Sequence, residues 1–313
     1  MRQLTEHLLK PADRVEVTVL VDNYIDIFVP PATPVDRRLP FDPCRHIMAE
    51  HGLSCLVRVF AGKKEHTVLL DTGISRECMA WNARQLGIDI ATIEAVALSH
   101  GHFDHTGGLA SVFCGAGRQV PLIAHPDAFL KRRMNGPKGT ADLPRLDAIE
   151  LKKAGADILQ RSGPSTLAAG HLLVTGEVER KTSFEKGMPG MEMWVNGSWA
   201  PDPILDDQAL VINVKGKGLV VLSGCAHAGI INTVEYAKKI TGIDHVHAVL
   251  GGFHLTGPAF AKVIQPTIEG MKKIDPDYVV PMHCTGWDAI NRFFEAMPGK
   301  CILNTVGTTY VFG

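Results

Sequence analysis

The segment from His100 to His105 contains the residues of this sequence that are best suited to bind metal ions. It combines imidazoles with one carboxylate, and this mixture of nitrogen and oxygen donors suits zinc and similar divalent ions. In an extended segment His100 and His102 point to the same side and can reach one ion, whereas Asp104 and His105 can reach a second. An apolar run, Val96 to Leu98, precedes the cluster and favours a buried metal site over a histidine-rich surface loop.

Other apolar runs of the chain also end in polar side chains that could belong to the same site. Three of these side chains are Asp71, His227 and His283. We expect Asp71 to lie just outside the ions, where a carboxylate can orient a ligating imidazole and accept a hydrogen bond from a bound water. A strand-end cap is the alternative interpretation of Asp71.

The pattern His-x-His-x-Asp-His at residues 100–105 resembles the signature of the metallo-β-lactamase superfamily. Three further segments resemble other motifs of that superfamily: Val68 to Gly73, Leu222 to His227 and Val280 to His283. More narrowly, three phrases resemble the branch known as dihydropterin (ribofuranosyl)aminobenzene-phosphate synthase-like: Thr175 to Val178, Gly224 to Thr233 and Gly251 to Leu255. These landmarks are spread along the whole chain.

The resemblance implies a set of ligands for each of two divalent ions, most often zinc, with Mn and Fe as alternatives. The first set is His100, His102 and His227, and the second is Asp104, His105 and His283. Three protein nitrogens leave an open position for water, which is typical of a catalytic ion. Because two neighbouring ions make a shared water more acidic, the implied reaction is hydrolysis.

One position departs from the superfamily pattern. The superfamily usually has a bridging Asp after the strand that precedes the last ligand, and here Ala248 to Phe253 is followed by His254. Without that carboxylate the pocket is expected to be more electropositive and to favour anionic substrates. His254 could ligate the second ion or protonate a leaving group, and a core histidine is the alternative. Together with His254, we expect Asp71 and Asp104 to occupy catalytic positions.

Two cysteines, Cys225 and Cys284, lie next to candidate ligands. We interpret both as small packing residues, because imidazoles already fill the implied coordination spheres.

Residues for substrate binding are predicted from the segment Gly176 to Arg180. Glu177 belongs to its family-like turn, and Arg180 follows that turn and suits bidentate capture of a phosphate. A second cationic run, Lys131 to Arg133, is more typical of a solvated face.

Composition limits the classes of function. The chain has 313 residues, is 45% hydrophobic and has a net charge of -1, so it can bury a large core and has no bulk charge that attracts nucleic acid or a membrane. Residues 1–10 contain no apolar core of signal-peptide length, and no window approaches a membrane span. An odd number of cysteines, seven, fits reduced thiols. We therefore expect a cytoplasmic protein with a small-molecule partner, and homo-oligomerisation stays open.

The order of elements predicts an α/β fold with two similar halves. A hairpin, Leu53 to Phe60 with His66 to Leu70, is followed by a helix and a strand, and a second hairpin, Ala209 to Val214 with Leu219 to Leu222, starts the same order again. This repetition predicts a four-layer αββα sandwich of the metallo-β-lactamase type, with the metal site between the halves. We expect one domain, 1–313, with a loop-rich and helical insertion at about 126–208.

The leading functional hypothesis is a metal-dependent hydrolase that acts on a small anionic substrate, such as a phosphorylated or pterin-related molecule. A pterin-linked aminobenzene-phosphate synthase and a non-catalytic metal or ligand sensor are alternatives. A β-lactamase or lactonase activity stays open on the fold alone.

Overall fold

The computed structural model of the chain describes residues 9–137 and 139–313, which form eighteen strands and seven helices. The expectation about residues 1–10 therefore concerns a segment that lies outside the described residues except for its last two. In chain order, β1 to β18 are Arg14–Val21, Asp36–Arg37, Ser54–Ala61, Lys64–Leu70, Ala95–Ala97, Val120–Ala124, Arg132–Gly136, Gly139–Asp142, Ala156–Gln160, Ser165–Leu167, Leu172–Val174, Met191–Val195, Ser198–Pro201, Ala209–Val214, Gly218–Ser223, Val246–Gly252, Tyr278–Met282 and Thr309–Phe312. Helices α1 to α7 are Cys78–Gln85, Phe103–Thr106, Leu109–Ala116, Ala148–Ala154, Ile230–Thr241, Ile264–Ile274 and Trp287–Ala296.

Two large mixed sheets carry the fold. The first has the strand order β2-β18-β1-β3-β4-β5-β6-β9, and the second has the order β10-β11-β14-β15-β16-β17. In the first sheet β3 and β4 form an antiparallel hairpin, after which β4, β5, β6 and β9 run parallel to one another. In the second sheet the hairpin of β14 and β15 is followed by the parallel strands β16 and β17. The two halves therefore share the order of hairpin and parallel crossover that the sequence predicts.

Alternation along single strands shows how the layers pack. In β4, Val68 and Leu70 belong to the core cluster between the sheets, whereas Leu69 belongs to a cluster shared with α1, α3 and α4. In β15, Leu222 faces the central cluster and Val221 faces a cluster shared with α5, α6 and α7. Because neighbouring side chains of a strand point to opposite faces, each sheet is covered by helices on one side and by the other sheet on the other. The predicted four-layer αββα sandwich is confirmed.

The segment at about 126–208, predicted as a loop-rich and helical insertion, contains more strand than helix in the described residues. In the described residues it contains one α-helix, α4, and the seven strands β7 to β13. Of these, β9 extends the first sheet and β10 and β11 extend the second, while β13, β12, β7 and β8 form a separate four-stranded sheet. These strands are three to five residues long and all but β11 are partly exposed, so they leave only a weak alternating pattern in the sequence.

No helix in the described parts of the chain is long and apolar enough to cross a bilayer.

Candidate metal centre

The candidate ligands meet at one edge of the two sheets because they follow the carboxyl ends of parallel strands. Such ends converge in a crevice in open α/β sheets, which is where ligands bind. The strands and the residues that follow them are β4 with Asp71, β5 with His100, β15 with His227, β16 with His254 and β17 with His283. The loop between β5 and α2 and the short helix α2 add the remaining ligands of the His100 to His105 cluster.

Several of these strand ends have strained backbone. Asp71, Ala226, His254 and His283 have φ angles of 54°, 53°, 44° and 51°, in the left-handed region that favours glycine. Non-glycine residues are kept in this region only where the surrounding structure determines it, and such residues cluster at functional sites. Each of the four either carries a candidate site side chain or adjoins one.

The first group of donors consists of His100, His102 and His227, all buried, with ligand atoms within 4.8 Å of one another. The Nε2 atoms of His100 and His227 are 3.2 Å apart, and His102 Nε2 has no hydrogen-bond partner in the described residues. Burial lowers the pKa of His102 to about 3, with a contribution from the Arg132 guanidinium. Burial likewise lowers the pKa of His100 and His227. Neutral imidazoles with converging nitrogens fit a bound cation.

The second group consists of Asp104, His105, Cys225 and His283, which are also buried and within the same 4.8 Å limit. Asp104 Oδ2 lies 3.3 Å from His283 Nε2 and 3.8 Å from His105 Nε2. Burial opposes protonation of His105, but Asp71 and Asp104 outweigh it and raise the pKa of His105 to about 9. The carboxylates therefore favour positive charge at this place, which fits a divalent ion as well as a proton.

The two groups lie side by side, since the rings of His100 and His105 are 4.3 Å apart between centroids. Their donors are the nitrogen and oxygen types that zinc and similar ions take, joined by one sulfur. The structure thus brings together all six side chains of the two ligand sets that the sequence resemblance implies.

Asp71 supports both groups from outside. Its Oδ2 atom accepts from Ser99 Oγ at 2.6 Å and lies 2.6 Å from His105 Nδ1, while its Oδ1 atom accepts from the Ser99 backbone N–H. Ser99 Oγ in turn lies 2.9 Å from His100 Nδ1. A side chain at Gly224 would clash with Ser99, so glycine is required there for the second sheet to approach this network. One carboxylate therefore orients an imidazole in each group.

We expect Asp71→Asn to weaken metal binding by about 10- to 100-fold, the usual loss when a group that orients a ligand is changed. An asparagine amide has one acceptor oxygen, so it cannot accept from both donors of Ser99 and from His105 at once. The imidazoles of His100 and His105 would then lose their fixed orientation. Competition with a chromogenic chelator measures the affinity. Asp36→Asn is the matched control, because Asp36 is also buried but pairs with Arg38 at 2.9 Å outside both groups. Equal losses in the two variants would assign the effect to fold stability instead.

Sequence reasoning missed several residues that touch the second group. Asn23 Oδ1 lies 3.1 Å from His283 Nδ1, and Asp22 accepts from the His283 backbone N–H at 2.7 Å. His51, whose side chain is 56% exposed, lies 3.4 Å from Asp104 Oδ2. The polar pair Asp22-Asn23 at the end of β1 was a signal of a strand-end site, whereas an isolated histidine such as His51 gives no such signal.

His254 lines a cavity of about 190 Å³ beside the first group. Its ring lies 4.3 Å from that of His227 and 4.8 Å from that of Phe260 between centroids. Its Nδ1 atom is buried and has no hydrogen-bond partner in the residues that the structure describes. His254 therefore faces the cleft.

The residues predicted for substrate binding separate in the structure. Arg180 donates to the backbone carbonyls of Pro203 and Ile204, and its Nη1 atom lies next to Gly187, which lines the cavity. Glu177 is exposed and is not among the lining residues of the cavity. Only Arg180 of this pair is brought near the cleft.

The cationic run Lys131 to Arg133 does not form a uniform solvated face. Arg132 is 3% exposed and pairs with Asp202 at 2.6 Å and with Asp206 at 2.5 Å. Asp206 also accepts from the backbone N–H of Gly101, so this buried ion pair connects the four-stranded sheet to the loop between β5 and α2.

Comparisons with known proteins show which family this chain is similar to. Residues 50–173 match the family model of the metallo-beta-lactamase superfamily. The crystal structure of Tm1679, a metal-dependent hydrolase of the beta-lactamase superfamily, superposes with a TM-score of 0.73 at 25% identity and covers 94% of this chain and 98% of that one. A 7,8-dihydropterin-6-methyl-4-(beta-D-ribofuranosyl)-aminobenzene-5'-phosphate synthase of Methanocaldococcus jannaschii is 36% identical over 79% of this chain and 85% of its own length. This chain belongs to the metallo-β-lactamase superfamily.

A second protein of the same organism, uncharacterised, is 31% identical over 82% of the chain and 95% of its own length. The resemblance of the sequence motifs to the superfamily and to its synthase-like branch is confirmed. The metallo-β-lactamase fold implies divalent metal binding, and the two groups of His and Asp side chains are the candidates for it.

Proposed function

We propose that this member of the metallo-β-lactamase superfamily is a hydrolase that uses two divalent ions, of the zinc type, to act on a small anionic substrate. The observation that carries the proposal is the pair of adjacent buried donor groups, which share an edge of the sandwich with a cavity that His227 and His254 line. The Tm1679 likeness supports a hydrolase. The cysteines, all free, support a reducing compartment such as the cytoplasm.

Each group of side chains has a separate task in this proposal. His100, His102 and His227 would hold one ion, and Asp104, His105 and His283 would hold the other. When bound, such ions make water acidic near neutral pH and neutralise charge on the substrate. Asp71 keeps two of the imidazoles in place through Ser99 and through a direct contact to His105.

The cavity limits the type of substrate. Its wall is largely aromatic and aliphatic, with the residues Phe184, Phe253, Leu255, Phe260 and Val263. Lys186 also lines it, and Arg180 lies next to it across Gly187. This combination suits a molecule with a planar or apolar part and an anionic group.

The test is turnover of phosphomonoesters, phosphodiesters and uncharged carboxylic esters by protein loaded with zinc or manganese. We expect hydrolysis of at least one anionic ester that depends on metal and disappears after chelation. A fully loaded protein that hydrolyses none of them would refute the hydrolase proposal.

A second function, condensation by a pterin-linked synthase, is favoured by the 36% identity to the methanogen enzyme. In this alternative the aromatic cavity would hold a pterin ring while the cationic edge holds an aminobenzene ribose phosphate. Incubation of the loaded protein with an activated 6-methyl dihydropterin and a ribofuranosylaminobenzene 5'-phosphate distinguishes the two. A joined product supports the synthase, and hydrolysis of either component alone supports the hydrolase.

We expect His254→Ala to retain both ions and to lose rate mainly on substrates with poor leaving groups, by about 10²-fold or more. The side chain faces the cavity and its Nδ1 atom is unpartnered within the described residues, so it can donate a hydrogen bond to a leaving group. Metal analysis beside single-turnover rates on esters of good and poor leaving groups measures both effects. Loss of an ion would make His254 a ligand, and unchanged rates would return it to a packing role.

We expect Arg180→Ala to raise KM for a phosphorylated substrate by more than about tenfold and to leave KM for an uncharged ester nearly unchanged. The guanidinium lies at the cavity edge, where a bidentate contact with phosphate adds to its contacts with Pro203 and Ile204. The exposed Arg161, which donates to the Gln160 carbonyl, gives the matched control Arg161→Ala. An equal rise in KM for both substrates would show that Arg180 only stabilises the loop that contains Pro203 and Ile204.

A further inference from the structure

Two histidines and one aspartate form a further group of metal donors outside the centre described above. The ligand atoms of His245, His247 and Asp277 lie within 4.8 Å of one another. Asp277 Oδ2 is 2.6 Å from His247 Nδ1 and 3.2 Å from His245 Nε2. Two imidazoles therefore converge on one carboxylate oxygen. These three residues are called the β16 triad below.

The β16 triad lies at the opposite ends of its strands from the candidate metal centre. His245 directly precedes β16, His247 is the second residue of this strand, and Asp277 directly precedes β17. The centre lies at the carboxyl ends of the same strands, which His254 and His283 follow. The seven residues of β16 extend over about 20 Å. An ion at the triad would therefore be separate from the ions of the centre.

A β-bulge gives His247 its position. The register between β15 and β16 shifts between Val246 and Ala248, so that His247 is an extra residue of β16. Bulges change the direction of a side chain and are frequent next to functional sites. The His247 side chain is 8% exposed, and its ring meets those of Tyr278 and Phe312 edge-on, 5.5 and 5.4 Å away between centroids. Packing thus fixes this imidazole with Nδ1 toward Asp277.

The other two residues of the triad are positioned by the backbone. The His245 carbonyl accepts from the Leu219 N–H at 2.9 Å, and the Asp277 N–H donates to the Val246 carbonyl at 3.4 Å. A Cβ at Gly218 would lie 2.8 Å from Cδ2 of the His245 ring, so glycine is needed there for the ring to lie against β15. All three donors are therefore placed before any ion binds.

The chemistry of the β16 triad suits an open zinc site. Imidazole nitrogen and carboxylate oxygen are zinc ligands, and three protein ligands leave a fourth position for water. Burial would raise the pKa of Asp277, but His247 and His245 outweigh this effect and lower the pKa, which favours the carboxylate. The side chains of His245 and Asp277 are 58% and 44% exposed, so an ion can enter from solvent. A simple ion pair would need only one of the two imidazoles.

We propose that the β16 triad binds one divalent ion of the zinc type through His245 Nε2, His247 Nδ1 and the Asp277 carboxylate, with water in the open position. Each imidazole binds the ion through a nitrogen without a proton and carries its N–H on the other ring nitrogen. This ion is additional to the two of the proposed function and does not depend on them. It connects β17, an edge strand of the second sheet, to the start of β16.

Zinc titration of the full chain by equilibrium dialysis with metal analysis tests this. We expect the wild type to bind one zinc ion more than Asp277→Asn or His245→Ala. Each of these variants should weaken the additional ion by at least the about tenfold that loss of an orienting group already costs. His227→Ala affects only the proposed centre, so the zinc losses of His227→Ala and Asp277→Asn should add in the double variant, as expected for distant sites. Circular dichroism of each variant checks that it is folded.

Asp275→Asn is the matched control, because Asp275 is exposed, lies two residues before Asp277 and pairs with Lys300 at 2.6 Å. It should keep the additional ion. Equal zinc binding by the wild type, Asp277→Asn and His245→Ala overturns the proposal, however many ions the centre holds. A loss in Asp275→Asn as large as that in Asp277→Asn also overturns it, because general negative charge would then explain the binding. Zinc that is lost in the two triad variants but not in His227→Ala supports the triad and refutes the proposed centre.

Discussion

A His227→Ala variant is expected to bind one ion fewer than the wild type and to lose at least about 10³-fold in kcat/KM on any ester that the wild type hydrolyses. His227 is the only member of its group that the second sheet supplies among the described residues, and it lies 3.2 Å from His100 between Nε2 atoms. Without it, the ion proposed for this group would keep two protein nitrogens. A loss of 10³-fold corresponds to about 4 kcal/mol of transition-state stabilisation, within the several kcal/mol that a catalytic metal contributes.

Metal analysis and steady-state kinetics check this expectation. His100→Ala and His102→Ala should give the same phenotype, because all three side chains would hold the same ion in the proposed centre. His171→Ala is the control, since this imidazole contacts the Pro11 carbonyl away from both groups. Full metal content in the three ligand variants would contradict the assignment.

Removal of the ions is expected to lower the melting temperature by on the order of 10 °C. The ligands come from strand ends of both sheets, so bound ions tie the halves together, and a ligand at 1,000 times its Kd stabilises a protein by about 4 kcal/mol. Each kcal/mol shifts the melting temperature of a large domain by about 2–4 °C. Differential scanning fluorimetry with and without a chelator measures the shift.

The His227→Ala variant serves as the control for this shift, because it has already lost one of the two ions and should respond less to the chelator. Identical melting temperatures for the loaded and the chelated wild type would show that the halves are held together by packing alone.

Much of the fold and of the centre could be predicted from the sequence because both depend on local patterns. In β4, Val68 and Leu70 face the core between the sheets and Leu69 faces the helices, as expected for a strand buried on both faces. The spacing of the His100 to His105 cluster predicts a segment that turns after a buried strand, and this cluster follows β5. The strands inside residues 126–208 are too short, and most of them too exposed, to leave such a pattern. Their place in three different sheets depends on distant partners.

The parts of the centre that were not predicted depend on contacts between distant segments. Cys225 was interpreted as a packing residue, because a sequence can count imidazoles but cannot show that the Cys225 sulfur lies within 4.8 Å of ligand atoms of Asp104, His105 and His283. The cationic run that contains Arg132 was interpreted as a solvated face. In the structure Arg132 is buried and pairs with two carboxylates that lie about seventy residues further along the chain. Ser99 and Asn23 have ordinary polar side chains, and only the fold gives them their roles.

The left-handed residues at the strand ends set a limit on how stable this protein can become. Each non-glycine residue in that region costs about 1–3 kcal/mol, and Asp71, His254 and His283 cannot become glycine without losing their side chains. Selection for a more robust fold and selection for a working site therefore oppose each other at these positions. Ala226 differs, because its methyl group has no assigned chemistry. Engineering for heat tolerance would begin at Ala226, where glycine relieves strain and removes no donor.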